Sequence, residues 1–139
     1  MPERTFCMIK PDGVERGLAD EVGKRIEASG LKIVKKLDLT VSPEQAKKLY
    51  AVHEGKPFYH GLVNLITSGP ARAMVVEGDD AVARLRKLMG ATDPRKAEPG
   101  TIRGDLKEDN IYTPDGTMKN VIHGSDSAQN AAYETAIFF

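Results

Sequence analysis

Short apolar segments bounded by turn residues predict four β-strands. The segment Thr5–Ile9 combines β-branched and aromatic residues and leads into Lys10-Pro11-Asp12-Gly13, which is typical of a buried strand followed by a tight loop. The segment Leu31–Val41 alternates only in part, which predicts a half-buried strand with an irregularity near Lys35 and Lys36. The four predicted strands are Thr5–Ile9, Leu31–Val41, Ala71–Glu77 and Asn120–His123.

Apolar residues at helical spacing predict the helices between these strands. Val22 and Ile26 share one face of a segment that ends at Ser29-Gly30, a common helix terminus. Ser42 is followed by a proline and, three positions on, by a glutamine, which is the pattern of a capping box. The predicted helices are Leu18–Ala28, Ser42–Tyr50, Leu62–Thr67, a helix that starts after Gly78 and carries Val82, Leu85 and Met89 on one face, and Ser127–Ile137.

The order of these elements predicts an α/β fold of the α+β type. It matches a ferredoxin-like split βαβ domain, in which a four-stranded antiparallel sheet is covered by helices on one face. The chain length predicts a single domain over residues 1–139. The stretch from Gly90 to Lys119 is rich in proline and glycine and poor in apolar residues. A loop of that length inside a compact domain is usually functional or mobile.

The charge balance excludes a general attraction to nucleic acids or anionic membranes. Twenty basic and twenty acidic residues cancel, so any anion site has to be assembled locally. Cys7 is the only cysteine, which excludes an internal disulfide and suits a reducing compartment. No apolar run is long enough for a signal-peptide core or a membrane span. We therefore expect a cytoplasmic protein without membrane association.

His123 is the strongest candidate for chemistry among the three histidines. It lies between a predicted strand and the helix start Gly124–Ser127, whose unpaired N–H groups and positive dipole end favour a nearby phosphate. A neutral imidazole is an effective nucleophile, and histidine forms covalent intermediates in enzymes. The alternative is a structural histidine packed at a strand end. His53 and His60 lack such surroundings, and we expect them to be surface or packing residues.

Three basic residues outside the apolar stripes are candidates for binding an anion. Lys10 stands where a predicted buried strand ends, and Arg103 lies among glycines that permit a close backbone approach. Arginine matches phosphate oxygens with a planar fork, and lysine offers a point charge. Arg86 has the least distinctive surroundings of the three. For each of them an ordinary solvated surface charge is the alternative interpretation.

The common phosphate- and metal-binding motifs are absent from the sequence. It contains no Gly-x-x-x-x-Gly-Lys-Ser/Thr loop, no protein-kinase loop set and no Cys/His cluster with zinc spacing.

Two aromatic residues complete the candidates. Tyr50 and Phe58 flank the predicted pair of helices, where an aromatic ring can stack on a nucleobase. Core packing is the commoner role of an aromatic residue at such positions.

Four segments together resemble the nucleoside diphosphate kinase family. They are Phe6–Val14, which contains Lys-Pro-Asp-Gly, then Ser68–Pro70, Pro99–Asp105, and Asn120–Ser127, which contains His-Gly-Ser-Asp. The resemblance extends from about Arg4 to the end of the sequence, and the first and last of these segments are highly specific. It implies transfer of the γ-phosphate of a nucleoside triphosphate such as ATP to a nucleoside diphosphate, by a ping-pong route through a phosphohistidine.

The resemblance also implies a catalytic group and a phosphate site. His123 would be the nucleophile, with Glu134 orienting its imidazole and the hydroxyl of Ser125 beside that carboxylate. Such a carboxylate would hold the far ring nitrogen and leave the other nitrogen free to attack. The positions that match phosphate-contacting residues of the family are Lys10, Tyr50, Arg86, Thr92 and Arg103.

The sugar, base and metal contacts follow from the same resemblance. Lys10 and Asn120 would meet the sugar hydroxyls, and Phe58 would stack on the base with Leu62 beside it. Because stacking binds every base in a similar way, we expect broad base specificity. The implied cofactor is Mg²⁺. It would have no direct protein ligand, being held by the nucleotide phosphates with Asp126 near it at most through water.

The segment between Arg103 and Asn120 is several residues longer than in the common family pattern. Asp109–Gly116 looks inserted, and its Pro-Asp-Gly sequence predicts a hairpin-like excursion just before the last strand. The base contacts that family members make at the positions of Thr117 and Met118 are therefore not carried over.

The family is also the basis for the expected assembly. Its members are hexamers or tetramers built from a common dimer, and closed symmetric assembly is the rule for such proteins. We expect a homo-oligomer, a hexamer with a tetramer as the alternative. The sequence ends at Phe139, whereas longer members have a further tail that contacts a neighbouring subunit.

Two other function classes compete with the phosphotransferase. A nucleotide-binding module without catalysis would be expected to lack a histidine, lysine or arginine that the mechanism needs, and none is missing. Nucleic-acid binding through the sheet is disfavoured by the zero net charge and by the lack of an aromatic-rich strand. Nucleic acid is therefore not expected as the primary ligand.

Overall fold

The computed structural model, which describes residues 2–139, is built around a four-stranded antiparallel sheet. The strands lie in the order β2-β3-β1-β4, and all three neighbouring pairs are antiparallel. This is the strand order of a ferredoxin-like split βαβ domain, which confirms the predicted fold class. The strands are β1 (Glu3–Ile9), β2 (Lys32–Thr40), β3 (Pro70–Gly78) and β4 (Ile122–Gly124).

Seven α-helices and two 3-10 turns connect and cover the strands in the described part of the chain. The capping box predicted at Ser42 is present, because the Ser42 hydroxyl accepts the N–H of Gln45 and the Gln45 side chain accepts the N–H of Ser42. The helices are α1 (Pro11–Glu15), α2 (Ala19–Ala28), α3 (Pro43–Leu49), α4 (Tyr59–Ile66), α5 (Ala81–Met89), α6 (Ile102–Leu106) and α7 (Ala128–Phe138), and the 3-10 turns are Ala51–His53 and Pro94–Lys96.

None of these helices combines the length and the apolar character needed to cross a membrane.

Helices cover both faces of the sheet, so the prediction of one covered face was wrong. Side chains alternate along β1, and every residue from Thr5 to Ile9 is buried. Cys7 and Ile9 belong to one apolar cluster, whereas Phe6 and Met8 belong to another on the opposite face. A strand that is apolar on both faces needs cover on both. The first cluster includes Val22, Ile26 and Leu85, and the second includes Ala46, Leu49, Tyr50, Ile66 and Phe138.

Several element boundaries differ from the predicted ones because of local backbone geometry. The predicted tight loop after β1 is the short helix α1, whose first position is taken by a proline with a suitable fixed φ. Helix α4 begins three residues earlier than predicted, at Tyr59. Strand β4 begins two residues later than predicted, since Val121 has a φ of 70° and cannot continue an extended strand.

Strand β2 is more exposed than the half-buried strand that was predicted. It lies at the edge of the sheet and pairs only with β3 among the described strands. Most of its residues are exposed, including Leu37 at 39%. Its register shifts between Ile33 and Lys35, at the start of the predicted irregularity. The edge position accounts for this exposure, since β2 has a single neighbouring strand in the described part of the chain.

The stretch predicted as a long loop contains regular structure, including α6. Its last part, residues 111–119, forms a hairpin in which Tyr112 pairs with Met118. The N–H of Thr113 donates to the carbonyl oxygen of Thr117 at 2.8 Å, and the N–H of Lys119 donates to Ile111 at 2.6 Å. The hairpin-like excursion predicted for this part of the chain is therefore confirmed.

Candidate active site

A cleft of about 1110 Å³ lies between α4, the hairpin 111–119 and β4. Its volume is in the range of small-molecule and cofactor sites. It brings together the candidate residues from elements that are far apart in the sequence. Eleven candidates line it, namely Lys10, Tyr50, Phe58, Leu62, Arg86, Thr92, Arg103, Asn120, His123, Asp126 and Glu134. Ser125 is buried behind this lining.

His123 is held by a carboxylate on a neighbouring helix. It occupies the middle of β4 opposite Met8, and its Nε2 atom lies 2.6 Å from Oε1 of Glu134 on α7. The hydroxyl of Ser125 donates to the same oxygen at 2.8 Å. Because a carboxylate accepts hydrogen bonds, the ring carries its proton on Nε2 and keeps a lone pair on Nδ1. The site therefore presents a nucleophilic nitrogen in a fixed orientation.

Aromatic rings surround this imidazole and limit its movement. The ring centroids of Phe6 and Tyr50 lie 6.1 Å and 6.3 Å from that of His123, and the Tyr50 ring meets it edge-on. Burial, with a smaller effect of the Glu134 charge, raises the pKa of the Tyr50 hydroxyl. The hydroxyl therefore remains a donor that can bind an anion in the cleft.

Lys10 and Asn120 form a buried polar pair at the end of β1. The ammonium of Lys10, which is 5% exposed, donates to Oδ1 of Asn120 at 2.7 Å. The amide of Asn120 donates in turn to the carbonyl oxygen of Thr92 at 3.0 Å. Burial lowers the pKa of Lys10 to about 8; Asp12 opposes this shift and Arg103 adds to it. In the ligand-free site this lysine is therefore charged at neutral pH and loses its charge above about pH 8.

Arg103 ties the chain segments of the site together. Its guanidinium donates to the carbonyl oxygens of Asn120 at 3.1 Å, Gly90 at 3.2 Å and Ile122 at 2.6 Å. Burial, followed by repulsion from Arg86, lowers its pKa to about 10, so it remains charged at neutral pH. Arginine has five N–H donors, so three bonds to the backbone leave donors for a ligand.

Arg86 and Thr92 also line the cleft. Arg86, on α5, donates to the carbonyl oxygen of Gly124 at 3.1 Å, which places its positive charge next to β4. Thr92 is exposed, and its carbonyl oxygen accepts the bond from Asn120. The two arginines therefore bind the carbonyl oxygens of the residues that flank His123, and Lys10 lines the same cleft.

The other end of the cleft presents an open aromatic face. Phe58 precedes α4 and is 50% exposed, while its ring lies 5.2 Å from that of His53. Leu62 is half-buried on α4 and lines the same wall. An exposed ring supported on one side is suited to stacking on a planar ligand.

Two histidines expected to be surface or packing residues also line this cleft. His53 packs against both Tyr50, at 6.3 Å between ring centroids, and Phe58, and burial lowers its pKa. His60 is exposed at the start of α4. Their expected packing and surface character is present, but their place in the cleft was missed. The only signal in the sequence was their proximity to Tyr50 and Phe58.

The hairpin contributes a wall that sequence reasoning did not assign. Tyr112, Asp115, Thr117 and Met118 line the cleft. The hydroxyl of Tyr112 accepts a bond from Arg95 at 3.1 Å, which links the hairpin to the 3-10 turn of that arginine. No local pattern predicts that an inserted hairpin folds back over a cleft.

The acidic side chains of the cleft are its candidate ligands for a metal ion. Residues 2–139 contain no cluster of three or more His, Cys, Asp or Glu side chains arranged to hold a metal ion. Asp126 lines the cleft, and a hydrogen bond from Asn130 lowers the pKa of its carboxyl. One ionised carboxylate beside a phosphate site is a donor set that fits a cation held mainly by phosphate oxygens.

Comparisons with known proteins agree with this geometry. The family model described as nucleoside diphosphate kinase matches residues 3–139. Proteins named nucleoside diphosphate kinase from Carboxydothermus hydrogenoformans and a Synechococcus strain are each 52% identical over 137 and 139 residues, covering 99% and 100% of this chain and 87% of each relative.

Solved structures show the same similarity. A halophilic nucleoside diphosphate kinase from Halobacterium salinarum in complex with CDP is 48% identical, with a TM-score of 0.90 over 100% of this chain and 88% of that one. A nucleoside diphosphate kinase from Borrelia burgdorferi, a transition state mimic with bound vanadate and ADP, is 36% identical, with a TM-score of 0.90 over 99% and 87%.

Proposed function

Because the chain belongs to the nucleoside diphosphate kinase family and so is a phosphotransferase, we propose that it works through a phosphohistidine on His123. It transfers the γ-phosphate of a nucleoside triphosphate such as ATP to a nucleoside diphosphate. The observation that carries the proposal is the bond between Nε2 of His123 and Glu134, which leaves Nδ1 free within the cleft.

The proposed reaction has two symmetrical halves. In the first, Nδ1 of His123 forms a bond to the γ-phosphorus while the bond to the bridging oxygen breaks and the diphosphate leaves with both electrons. In the second, a different diphosphate attacks the phosphohistidine with its terminal oxygen and restores the free imidazole. Glu134 stabilises the positive charge that develops on the ring, and it fixes the ring for in-line attack.

The cationic side of the cleft is suited to the triphosphate. Lys10, Arg86 and Arg103 supply positive charge beside His123, and the protonated Tyr50 hydroxyl supplies a further donor. Thr92 lines the same cleft and is proposed to contact phosphate. Magnesium bound to the nucleotide phosphates would neutralise part of their charge, and Asp126, which lines the cleft, is proposed to meet it through water.

The aromatic end is proposed to hold the base without selecting it. Phe58 stacks on the base with Leu62 beside it, and Lys10 and Asn120 bind the sugar hydroxyls. Stacking discriminates weakly among bases. Broad specificity is supported by the relatives, since one is described with a cytosine nucleotide and another with an adenine nucleotide.

Trapping the phosphoenzyme tests the proposal. Incubation with terminally radiolabelled ATP and magnesium, followed by removal of nucleotide, should leave an acid-labile, base-stable label that GDP discharges. The variant His123→Gln should take up no label, whereas the matched variant His60→Gln should retain it. Full turnover by His123→Gln would show that the reaction does not pass through this residue.

The assembly and the location are also proposals. We propose a homo-hexamer, with a tetramer as the alternative, because β2 offers an open sheet edge with Leu37 exposed. A cytoplasmic location is supported by the one cysteine, Cys7, which is a buried free thiol. Light scattering and cell fractionation test these two proposals.

A further inference from the structure

Asp12 is a buried carboxylate beside the phosphate site that the mechanism above does not use. It lies on α1, is 6% exposed and does not line the cleft. Its Oδ2 atom accepts the N–H of Val121 at 2.9 Å. Its Oδ1 atom is buried and finds no hydrogen-bond partner among the described residues. Burying a carboxylate with so few bonds is unfavourable, so a compensating role is expected.

The backbone that Asp12 holds is strained. The N–H of Ile122 donates to the carbonyl oxygen of Asn120 at 2.7 Å, which closes a three-residue turn centred on Val121. The φ of 70° at Val121 marks the rare form of this turn, and the left-handed region is particularly unfavourable for a β-branched residue. Such a conformation persists only where its surroundings impose it.

Three contacts from the start of α1 impose this conformation. Asp12 binds the N–H of Val121, and the backbone N–H of Lys10 donates to the Val121 carbonyl oxygen at 2.8 Å. Gly13 packs so closely that a Cβ atom there would lie 3.0 Å from Cγ1 of Val121. The turn directs Asn120 on one side of it and His123 on the other, and both line the cleft.

Asp12 also balances the charges around Lys10. The groups that act on the Lys10 ammonium are the carboxylate of Asp12 and the guanidinium of Arg103, apart from the amide oxygen of Asn120 that accepts its hydrogen bond. The nearby Tyr50 hydroxyl stays neutral because its pKa is raised. Asp12 thus supplies the negative charge that opposes both burial and Arg103.

We propose that Asp12 is a positioning residue for phosphoryl transfer. One carboxylate oxygen maintains the strained turn at Val121 that aims Asn120 and His123 into the cleft. The carboxylate also supplies a negative charge close to Lys10, because both residues bind the same turn at Val121. The inference rests on the roles proposed above for these residues.

The variant Asp12→Asn tests the role of the charge. The amide oxygen can still accept the N–H of Val121, so the fold and kcat at pH 6 should be retained. In the wild type, kcat/KM should fall as the pH rises through about 8, because Lys10 loses its proton. In the variant this fall should move about one pH unit lower, mainly through KM. The control Asp79→Asn removes an exposed carboxylate and should leave the profile unchanged. An unshifted profile in Asp12→Asn overturns the charge role.

The variant Asp12→Ala tests the role of the hydrogen bond. Without an acceptor for Val121, His123 should lose its alignment, and kcat should fall about 10- to 100-fold at every pH. Asp12→Asn should restore kcat, and the loss should persist after correction for the folded fraction measured by thermal melting. A wild-type kcat per folded molecule in Asp12→Ala overturns the positioning role.

Titration of Lys10 separates this proposal from the proposed function. NMR of the carbon-labelled lysine side chains in the ligand-free protein reports the pKa of Lys10 without any turnover. The pKa should be lower in Asp12→Asn than in the wild type, and equal values overturn the charge role. If the wild type forms no phosphohistidine, the proposed function fails, while the lysine titration still decides whether Asp12 acts on Lys10.

Discussion

One oxygen of Glu134 accepts two hydrogen bonds, from the ring of His123 at 2.6 Å and from the hydroxyl of Ser125 at 2.8 Å. The Ser125 bond holds the carboxylate in place, and the carboxylate holds the ring. Hydrogen bonds to a charged acceptor are stronger than neutral ones, so the ring orientation is well defined. At the scale of single residues, reactivity therefore depends on this short chain of contacts as much as on the imidazole.

Replacing the carboxylate by an amide should slow the chemical step. In Glu134→Gln the amide no longer provides a negative charge for the developing imidazolium, so phosphorylation of His123 should be about 10- to 100-fold slower. Single-turnover labelling with ATP measures the rate. The control Glu44→Gln changes an exposed glutamate on α3 and should have no effect.

Removing the supporting hydroxyl should have a smaller effect. Ser125→Ala keeps the bond between Glu134 and His123 and removes one neighbouring bond worth about 1 kcal/mol, so phosphorylation should slow by roughly fivefold. The same labelling experiment measures it. If Ser125→Ala lowered the phosphorylation rate as much as Glu134→Gln, Ser125 would do more than support the carboxylate of Glu134.

At the scale of elements, the hairpin 111–119 is held between α4 and the 3-10 turn Pro94–Lys96. Thr117 packs against Gly61 on α4, where any side chain larger than hydrogen would overlap its hydroxyl. On the other side, Arg95 lies 5.5 Å from the Tyr112 ring centroid and also binds its hydroxyl. The hairpin therefore packs directly against the helix that carries Leu62 in the lining of the cleft.

Adding a methyl group at Gly61 should open this end of the cleft. The new Cβ of Gly61→Ala would lie 3.3 Å from Cβ of Thr117 and would overlap the Thr117 hydroxyl, so the hairpin has to move away from α4. Overpacking of this kind costs about 1 kcal/mol or more, and nucleotide affinity should fall roughly fivefold. Calorimetric titration with ADP measures the change.

Gly23→Ala on α2 is the matched control for Gly61→Ala. Its Cβ would meet only Cδ1 of Ile33, at an ordinary distance of 3.7 Å. Alanine favours the helix over glycine by about 1 kcal/mol, so this variant should be more stable and should bind ADP as the wild type does. Equal ADP affinities for both variants would contradict a role of the hairpin in binding.

At the scale of the whole molecule, the two edges of the sheet differ. The short strand β4 ends the sheet beside the cleft, whereas β2 exposes most of its nine residues at the opposite edge. An open edge with an exposed leucine is a ready contact for another chain. The proposed assembly would use the edge farthest along the sheet from the cleft.

A charge placed on this edge should weaken the assembly. Leu37→Glu puts a carboxylate on an exposed position of β2 and should shift the protein to smaller species. Size-exclusion chromatography with light scattering measures the mass. The control Ala83→Glu, at an exposed position on α5, should keep the wild-type mass. An unchanged mass in Leu37→Glu would show that β2 does not form the contact.

Strong local signals explain what could be predicted from the sequence. The capping box at Ser42 involves residues three positions apart, and the strand–turn–helix around His123 has a specific local pattern. The capping box appears as predicted, the strand and helix around His123 appear with shifted bounds, and all but one of the candidate site residues line one cleft. The prediction of one covered face was wrong because short apolar strands do not reveal how many layers cover them. The hairpin wall and the place of His53 and His60 were missed because they depend on contacts between distant segments.

The amino-acid sequence alone determined the fold class, the family resemblance and the residue types at the site, because these follow from local periodicity and short motifs. Only the tertiary structure decided which ring nitrogen of His123 is held by Glu134 and how Asp12 supports the turn at Val121. It also decided how the hairpin closes on α4. These properties depend on contacts between residues that lie 11 to more than 100 positions apart in the chain. Such contacts form only once the core has packed.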